Sequence, residues 1–119
     1  MRFMMLMIPL GYETAPPDVQ LDPERVKAMM KYNEALKEAG VLIALDGLHP
    51  PSMGARVSFA AGTPVVTDGP FTESKEVVGG FAILEAKSKA HAIELVKEFL
   101  AVAGDGECEL RQIFEGPGQ

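Results

Sequence analysis

The sequence predicts a single α+β domain of split βαββαβ order, ferredoxin-like, with a β-hairpin inserted at its middle. Three observations lead there. Apolar runs at 2–9, 41–45 and 77–86 and an alternating run at 107–115 are separated by two stretches of helical period with caps at both ends. Two short strand-like segments, 55–60 and 64–67, flank the turn pair Ala61-Gly62 between the second and third long runs. The chain has 119 residues, 47% hydrophobic and 24% charged, which suits one globular core rather than two domains or a disordered polymer.

Taken in order, residues 2–9 (RFMMLMIP) read as a short, continuous apolar strand, ended by Pro9 and Gly11. A loop with Pro16, Pro17, Asp18 and Thr14 and no period follows from Tyr12 to Asp22. Asp22 reads as an N-cap with Pro23 at the first helical position and Glu24 in the first turn. The helix runs to about Ala39 and ends at Gly40, with Val26, Met29, Met30, Tyr32 and Leu36 as its apolar arc. VLIAL (41–45) is the second strand, closed by Asp46-Gly47, and the hairpin comes next. VVGGFAILEA (77–86) is the fourth long element. Ser88 caps a second helix over 89–103 whose core face is Ile93, Val96, Phe99, Leu100 and Ala103, with Gly104 as its stop. ECELRQIFE (107–115) is the last strand, and EGPGQ is a loose tail.

An antiparallel sheet with helices on one face normally alternates in polarity, because its other face meets water. Here the first, second and 77–84 runs are apolar at nearly every position, so both faces must be dry. One chain supplies helices for one face only. The expectation is therefore a homodimer whose two sheets face each other as a dimeric α+β barrel.

Composition removes several function classes. A net charge of −6, with eleven Lys and Arg spread out rather than grouped, offers no footprint for nucleic acid. The single cysteine, Cys108, excludes an internal disulfide and a Cys-based zinc site, and fits a reducing compartment. The apolar start has only Arg2 ahead of it and no small-residue cleavage pattern, so it reads as a buried strand rather than a signal peptide. No segment approaches the ~20 apolar residues of a membrane helix. A cytoplasmic location is expected. No P-loop, dinucleotide fingerprint, metal-ligand spacing or activated Ser or Cys is present, so no cofactor or metal is expected.

The stretch DGPFTESKEVVGGF (68–81) resembles the signature of the DGPF family, part of the wider YCII-related superfamily. KYNEALKEAGVLIALDGLHPPSMGARV (31–57) resembles the segment ahead of it in those proteins, and GECELRQIFE (106–115) their last strand. The resemblance implies a dimeric α+β barrel. It implies little about activity: relatives occur beside, or fused to, extracytoplasmic-function sigma factors, and a few distant members are small-molecule enzymes. Enzyme-like relatives tend to carry a histidine on the inner face of the first helix, where Met29 stands here. That departure speaks against carrying over a helix-borne histidine mechanism.

The residues leave specific candidates, each with a plain structural alternative. Asp68 is a proton-transfer carboxylate, or a turn-opening Asp ahead of Gly69-Pro70. His49, in DGLHPPS, is the natural proton-transfer group because imidazoles exchange protons near neutral pH, or a bystander on a proline-stiffened loop. Glu73 and Lys75 line the same mouth, Lys75 holding an anionic ligand, or are simply solvated. Arg56 and Arg111 neutralise an acid in the barrel, or pair with Glu across strands. Asn33 points into the barrel, or hydrogen-bonds a neighbouring strand. Phe71 reads as a core or dimer anchor and His91 as a surface residue.

Two functions of different class follow. One is a cofactor-independent enzyme acting by acid/base chemistry on a small organic molecule, with Asp68 and His49 exchanging protons while Lys75, Glu73, Arg56 and Asn33 bind the substrate. The other is a non-catalytic ligand-binding or regulatory dimer module that meets a sigma-factor-related partner.

Overall fold

A computed structural model describes residues 1–70 and 77–116. The strands are β1 (Arg2–Pro9), β2 (Leu42–Gly47), β3 (Ala55–Ala60), β4 (Thr63–Asp68), β5 (Gly80–Glu85) and β6 (Gly106–Gln112). The helices are α1 (Pro23–Glu38) and α2 (Lys89–Ala103), with single 3-10 turns at Tyr12–Thr14 and Pro51–Met53. Strands β2, β5, β1 and β6 form one antiparallel sheet in that order, while β3 and β4 form a separate two-stranded sheet. This is the expected α+β order with its inserted hairpin.

The caps act as the residue types dictate. Asp22 Oδ1 accepts from the Glu24 amide at 3.1 Å, and Ser88 Oγ accepts from the His91 amide at 3.1 Å. Pro23 opens α1 at the position where its missing N–H costs nothing. At the far end of α2, Arg25 reaches from α1 and donates to the Ala103 carbonyl, a cation placed where the helix dipole favours it.

The core lies between the helices and one face of the four-stranded sheet. Phe3, Met5, Ala82 and Leu84 from the sheet meet Ala92, Leu95, Val96 and Phe99 of α2, all buried. Each large side chain here contributes about 1.5–3 kcal/mol by leaving water. Strand alternation then puts Met4, Leu6, Phe81 and Ile83 on the opposite face, where they are only half-buried.

Several details differ from the sequence reading, among them Met30, expected on the apolar arc of α1 but 67% exposed. The α2 core stripe is Ala92, Leu95, Val96 and Phe99, and Ile93 is 38% exposed. Leu100 and Ala103 pack at the margin of that core, so the stripe is rotated by about one residue from the expected one. Strand β5 starts at Gly80, with Val77–Gly79 irregular, and β2 runs on through Asp46 to Gly47 rather than ending before them. The tail is tied down at its start: Glu115 accepts from the Arg2 amide at 2.9 Å and from Arg2 Nε at 3.1 Å. No described helix is long and apolar enough to cross a membrane.

Candidate functional site

The antiparallel pairing brings the ends of β1 and β2 to the same end of the sheet as the start of β5. Loop residues converge there. The Tyr12 hydroxyl donates to the Leu48 carbonyl at 2.5 Å, and the Leu48 amide donates to the Gly79 carbonyl at 2.9 Å. The Gly79 amide in turn donates to the Met7 carbonyl at 2.7 Å. His49 follows Leu48 directly, and Pro50 after it is fully buried. The backbone that carries His49 is thus fixed on both sides, while its side chain stays exposed.

Gly79 is required by this packing. A methyl group added there would lie 2.7 Å from Pro9 Cγ and 3.2 Å from Tyr12 Cδ2. The ring of Tyr12 occupies the space that a side chain at 79 would need. Burial pushes the Tyr12 phenol above its ordinary pKa, so it stays a neutral donor.

Asp68 ends β4, and the next residue, Gly69, joins this end of the molecule. The Gly69 amide donates to the Gly54 carbonyl at 2.9 Å, and a Cβ at 69 would overlap the Pro51 carbonyl. The loop of His49 and the turn of Asp68 are therefore in backbone contact. Ser52, between them in the same 3-10 turn, donates from its hydroxyl to the Ala15 carbonyl at 3.3 Å. That bond closes the ring of loops back toward Tyr12. Both His49 and Asp68 are exposed.

The other candidates fall in different places. Arg56 is paired opposite Thr67 in the hairpin, on the face away from Asp68, which is opposite Ala55. Arg111 lies 4.0 Å from Glu109 on the same strand, both exposed, an arrangement worth little energetically. Asn33 lies on the helix side of the sheet, in a cavity with Met5, Leu36, Leu42, Leu45, Ala82, Leu84, Leu95 and Phe99. Only about 10 Å³ there is open to a water-sized sphere, room for roughly one water. Phe71, Glu73 and Lys75 lie outside the described residues. His91 is half-buried, its Nδ1 accepting from the Lys87 amide at 3.0 Å, far along the chain from the converging loops.

Two residues of this end escape a sequence reading. Tyr12 lies in the loop between the first strand and α1, where nothing in the sequence marks it. Asp46 looked like a turn residue, yet it lies within β2 opposite Phe81. It is an exposed carboxylate at the rim of the open sheet face, whose floor is Met4, Leu6, Phe81 and Ile83. Among the described residues, no group of three or more His, Cys, Asp or Glu is placed to hold a metal ion.

Fold and site together define a class: an α+β domain with a half-open apolar sheet face and a ring of polar loops at one end. The chain belongs to the family of YCII-related domain proteins, whose model matches residues 1–116. It is 32% identical over 77 residues to an uncharacterised protein of Rhizobium meliloti (strain 1021), R00369, a match spanning 64% of this chain and 62% of that protein. It is also similar to the solved structure of 5-chloro-2-hydroxyhydroquinone dehydrochlorinase from Burkholderia phenoliruptrix AC1100, in complex with 2,5-dihydroxybenzoquinone. That similarity has a TM-score of 0.52 at 19% identity and covers 98% of this chain and 96% of the other. At that identity the likeness establishes the fold.

Proposed function

We propose that this protein is a cofactor-independent enzyme that moves protons on a small organic molecule bound at the polar end of the open sheet face. The observation that carries the reading is the convergence of the Tyr12, His49 and Asp68 loops through the Tyr12–Leu48, Leu48–Gly79 and Gly69–Gly54 hydrogen bonds. Rigid backbone around an exposed imidazole and an exposed carboxylate is what acid/base work requires, since the groups must be held before the substrate arrives. His49 takes or gives the proton, Asp68 serves as the second proton-transfer group, and Asp46 at the rim faces the substrate from the sheet. The half-buried floor of Met4, Leu6, Phe81 and Ile83 suits a flat apolar body. Hydroxylated aromatics and quinones are the first class to try, because the structurally similar dehydrochlorinase holds 2,5-dihydroxybenzoquinone.

The same floor supports self-association. An apolar sheet face without helices over it is stable when a second copy covers it, so the working unit is a homodimer with its sheets opposed as an α+β barrel.

The test is a thermal-shift screen of hydroxylated benzoates, hydroquinones and quinones on the parent, His49→Ala and Asp68→Asn. A ligand that stabilises the parent, and stabilises both variants much less, supports the site. If every ligand stabilises all three proteins equally, the site lies elsewhere. A ligand that binds without turnover points to the non-catalytic binding module instead.

A further inference from the structure

The junction between β5 and α2 is closed by a reciprocal pair of hydrogen bonds. Ser88 Oγ accepts from the His91 amide at 3.1 Å, and His91 Nδ1 accepts from the Lys87 amide at 3.0 Å. A capping box has this form: the residue three places after the cap reaches back to satisfy an amide at the helix start. Glu or Gln usually fills the back-reaching place and bonds the amide of the cap itself. Here a histidine fills it and bonds the amide one residue earlier.

That exchange has a chemical consequence. An accepting Nδ1 carries no proton, so the ring is neutral with its proton on Nε2. An imidazolium donates from both nitrogens, and its Nδ1–H would meet the Lys87 N–H donor to donor. The setting opposes a cation as well, because His91 stands in the first turn, at the positive end of the helix dipole, with Lys87 and Lys89 close by in sequence. The carboxylates of the elements that meet here are engaged elsewhere. Glu85 of β5 pairs with the Met1 ammonium at 2.9 Å, Glu115 of the tail with Arg2 of β1 at 3.1 Å, and Glu94 of α2 with Lys97 at 3.1 Å. Lys37 and Glu38 at the end of α1 are exposed. Among the described residues, no carboxylate bonds the His91 ring.

We propose that His91 is an acid-sensitive latch on the β5–α2 junction: neutral, it closes the first turn of α2 onto the Lys87 amide, and protonated, it lets that amide go. Imidazole is the side chain that changes charge between about pH 5 and 8, so the latch works near neutrality. The released segment is bounded on both sides. Ala86 and Ala92 are 4% and 0% exposed, whereas residues 87–90 between them are exposed. The Ala86 amide stays on the Met1 carbonyl at 2.8 Å, and the Ala92 amide on the Ser88 carbonyl at 3.0 Å. Acid therefore loosens one turn without unseating Leu95, Val96 and Phe99 from the core. The latched form excludes a proton that the unfolded chain binds, so its stabilisation is present above the imidazole range and lost as pH falls through it. The latch lies at the opposite end of β5 from the converging loops, and it stands whether or not a ligand binds there.

The test compares the parent with His91→Gln, which keeps an acceptor that does not titrate, and His91→Ala, which has none. At pH 8 the parent and His91→Gln should melt together, with His91→Ala lower by about 4 °C. At pH 5 the parent should fall to the level of His91→Ala, and His91→Gln should outlast both by about 4 °C. All three chains keep His49, so its own titration cancels in the differences. Nitrogen-15 NMR of the full chain reads the latch directly. At pH 8 the His91 Nδ1 signal should be that of an unprotonated nitrogen. On acidification the Lys87 amide should move in step with the His91 ring and lose roughly fivefold in hydrogen-exchange protection. A parent and a His91→Gln protein that keep the same difference in melting temperature at both pH values overturn the proposal. So does a proton on Nδ1 at pH 8, or a Lys87 amide whose protection does not follow the ring.

Discussion

Replacing Gly69 by Ala separates the two roles of the Asp68 turn. The added Cβ would overlap the Pro51 carbonyl oxygen and lie 2.7 Å from its carbonyl carbon, with the Gly54 carbonyl oxygen at 3.4 Å. All three atoms are backbone, so none can swing aside as a side-chain end would. Either the turn moves away and the Gly69–Gly54 hydrogen bond breaks, or the 3-10 turn at Pro51–Met53 shifts. Overpacking of this kind costs about 1–3 kcal/mol, and the lost hydrogen bond about 1 kcal/mol more. For a chain of this length, an unfolding entropy of ~2.1 cal/mol/K per residue converts each kcal/mol into about 4 °C. A melting temperature lower by about 8–16 °C is therefore expected for Gly69→Ala by calorimetry or circular dichroism. Asp68→Asn keeps the turn's shape and should stay within about 2 °C of the parent, since an exposed isosteric change costs little. A Gly69→Ala protein that melts with the parent would refute the claim that the Asp68 turn is docked on the His49 loop.

Other outcomes follow from the same contacts. Tyr12→Phe removes the donor to the Leu48 carbonyl and should cost about 0.5–1.5 kcal/mol in urea unfolding, while weakening any ligand lost by His49→Ala. The Arg2 hydrogen bonds hold the Glu115 carboxyl below its ordinary pKa, so their stabilisation is present above that value and lost as pH falls through the lowered one. The stability gap between the parent and Glu115→Gln should close on acidification. Burial pushes Cys108 up to about 11, and burial followed by the Glu98 carboxylate pushes Tyr32 up to about 12. Both folded values are raised, so stability is whole below the unfolded values of 9.0 and 10.0 and drains away as pH rises through the folded ones. Alkylation of Cys108 at pH 9 should accordingly be slow in the native protein and fast in urea.

The fold was legible because its signals are local. Asp22-Pro23, Ser88, Gly40 and Gly104 mark helix ends by chemistry that needs no tertiary context. What escaped depends on neighbours. Ala92 is fully buried, but a methyl side chain carries too little apolar weight to move a helical stripe, and Ile93 beside it drew the stripe the wrong way. Asp46 reads as turn because Asp-Gly usually is one, and here the strand's pairing with β5 carries it further. The site was legible in half. The prolines after it made His49 a rigid candidate, and the structure adds what holds the preceding residue: the Tyr12 hydroxyl on the carbonyl of Leu48, 36 positions away in sequence. No spacing rule connects Tyr12 to Leu48, because the contact exists only once β1 and β2 lie in one sheet.

The most direct measurement is a ligand titration followed on the two histidine side chains by NMR, using the best hit of the hydroxyaromatic screen. His49 stands at the converging loops, while His91 caps its own helix turn against Lys87 and serves as an internal control. Binding should move the His49 imidazole signals and the ring signals of Tyr12 in step with saturation, and leave His91 unchanged. Saturable binding that leaves both His49 and Tyr12 unmoved would contradict the assignment of this end of the sheet as the site.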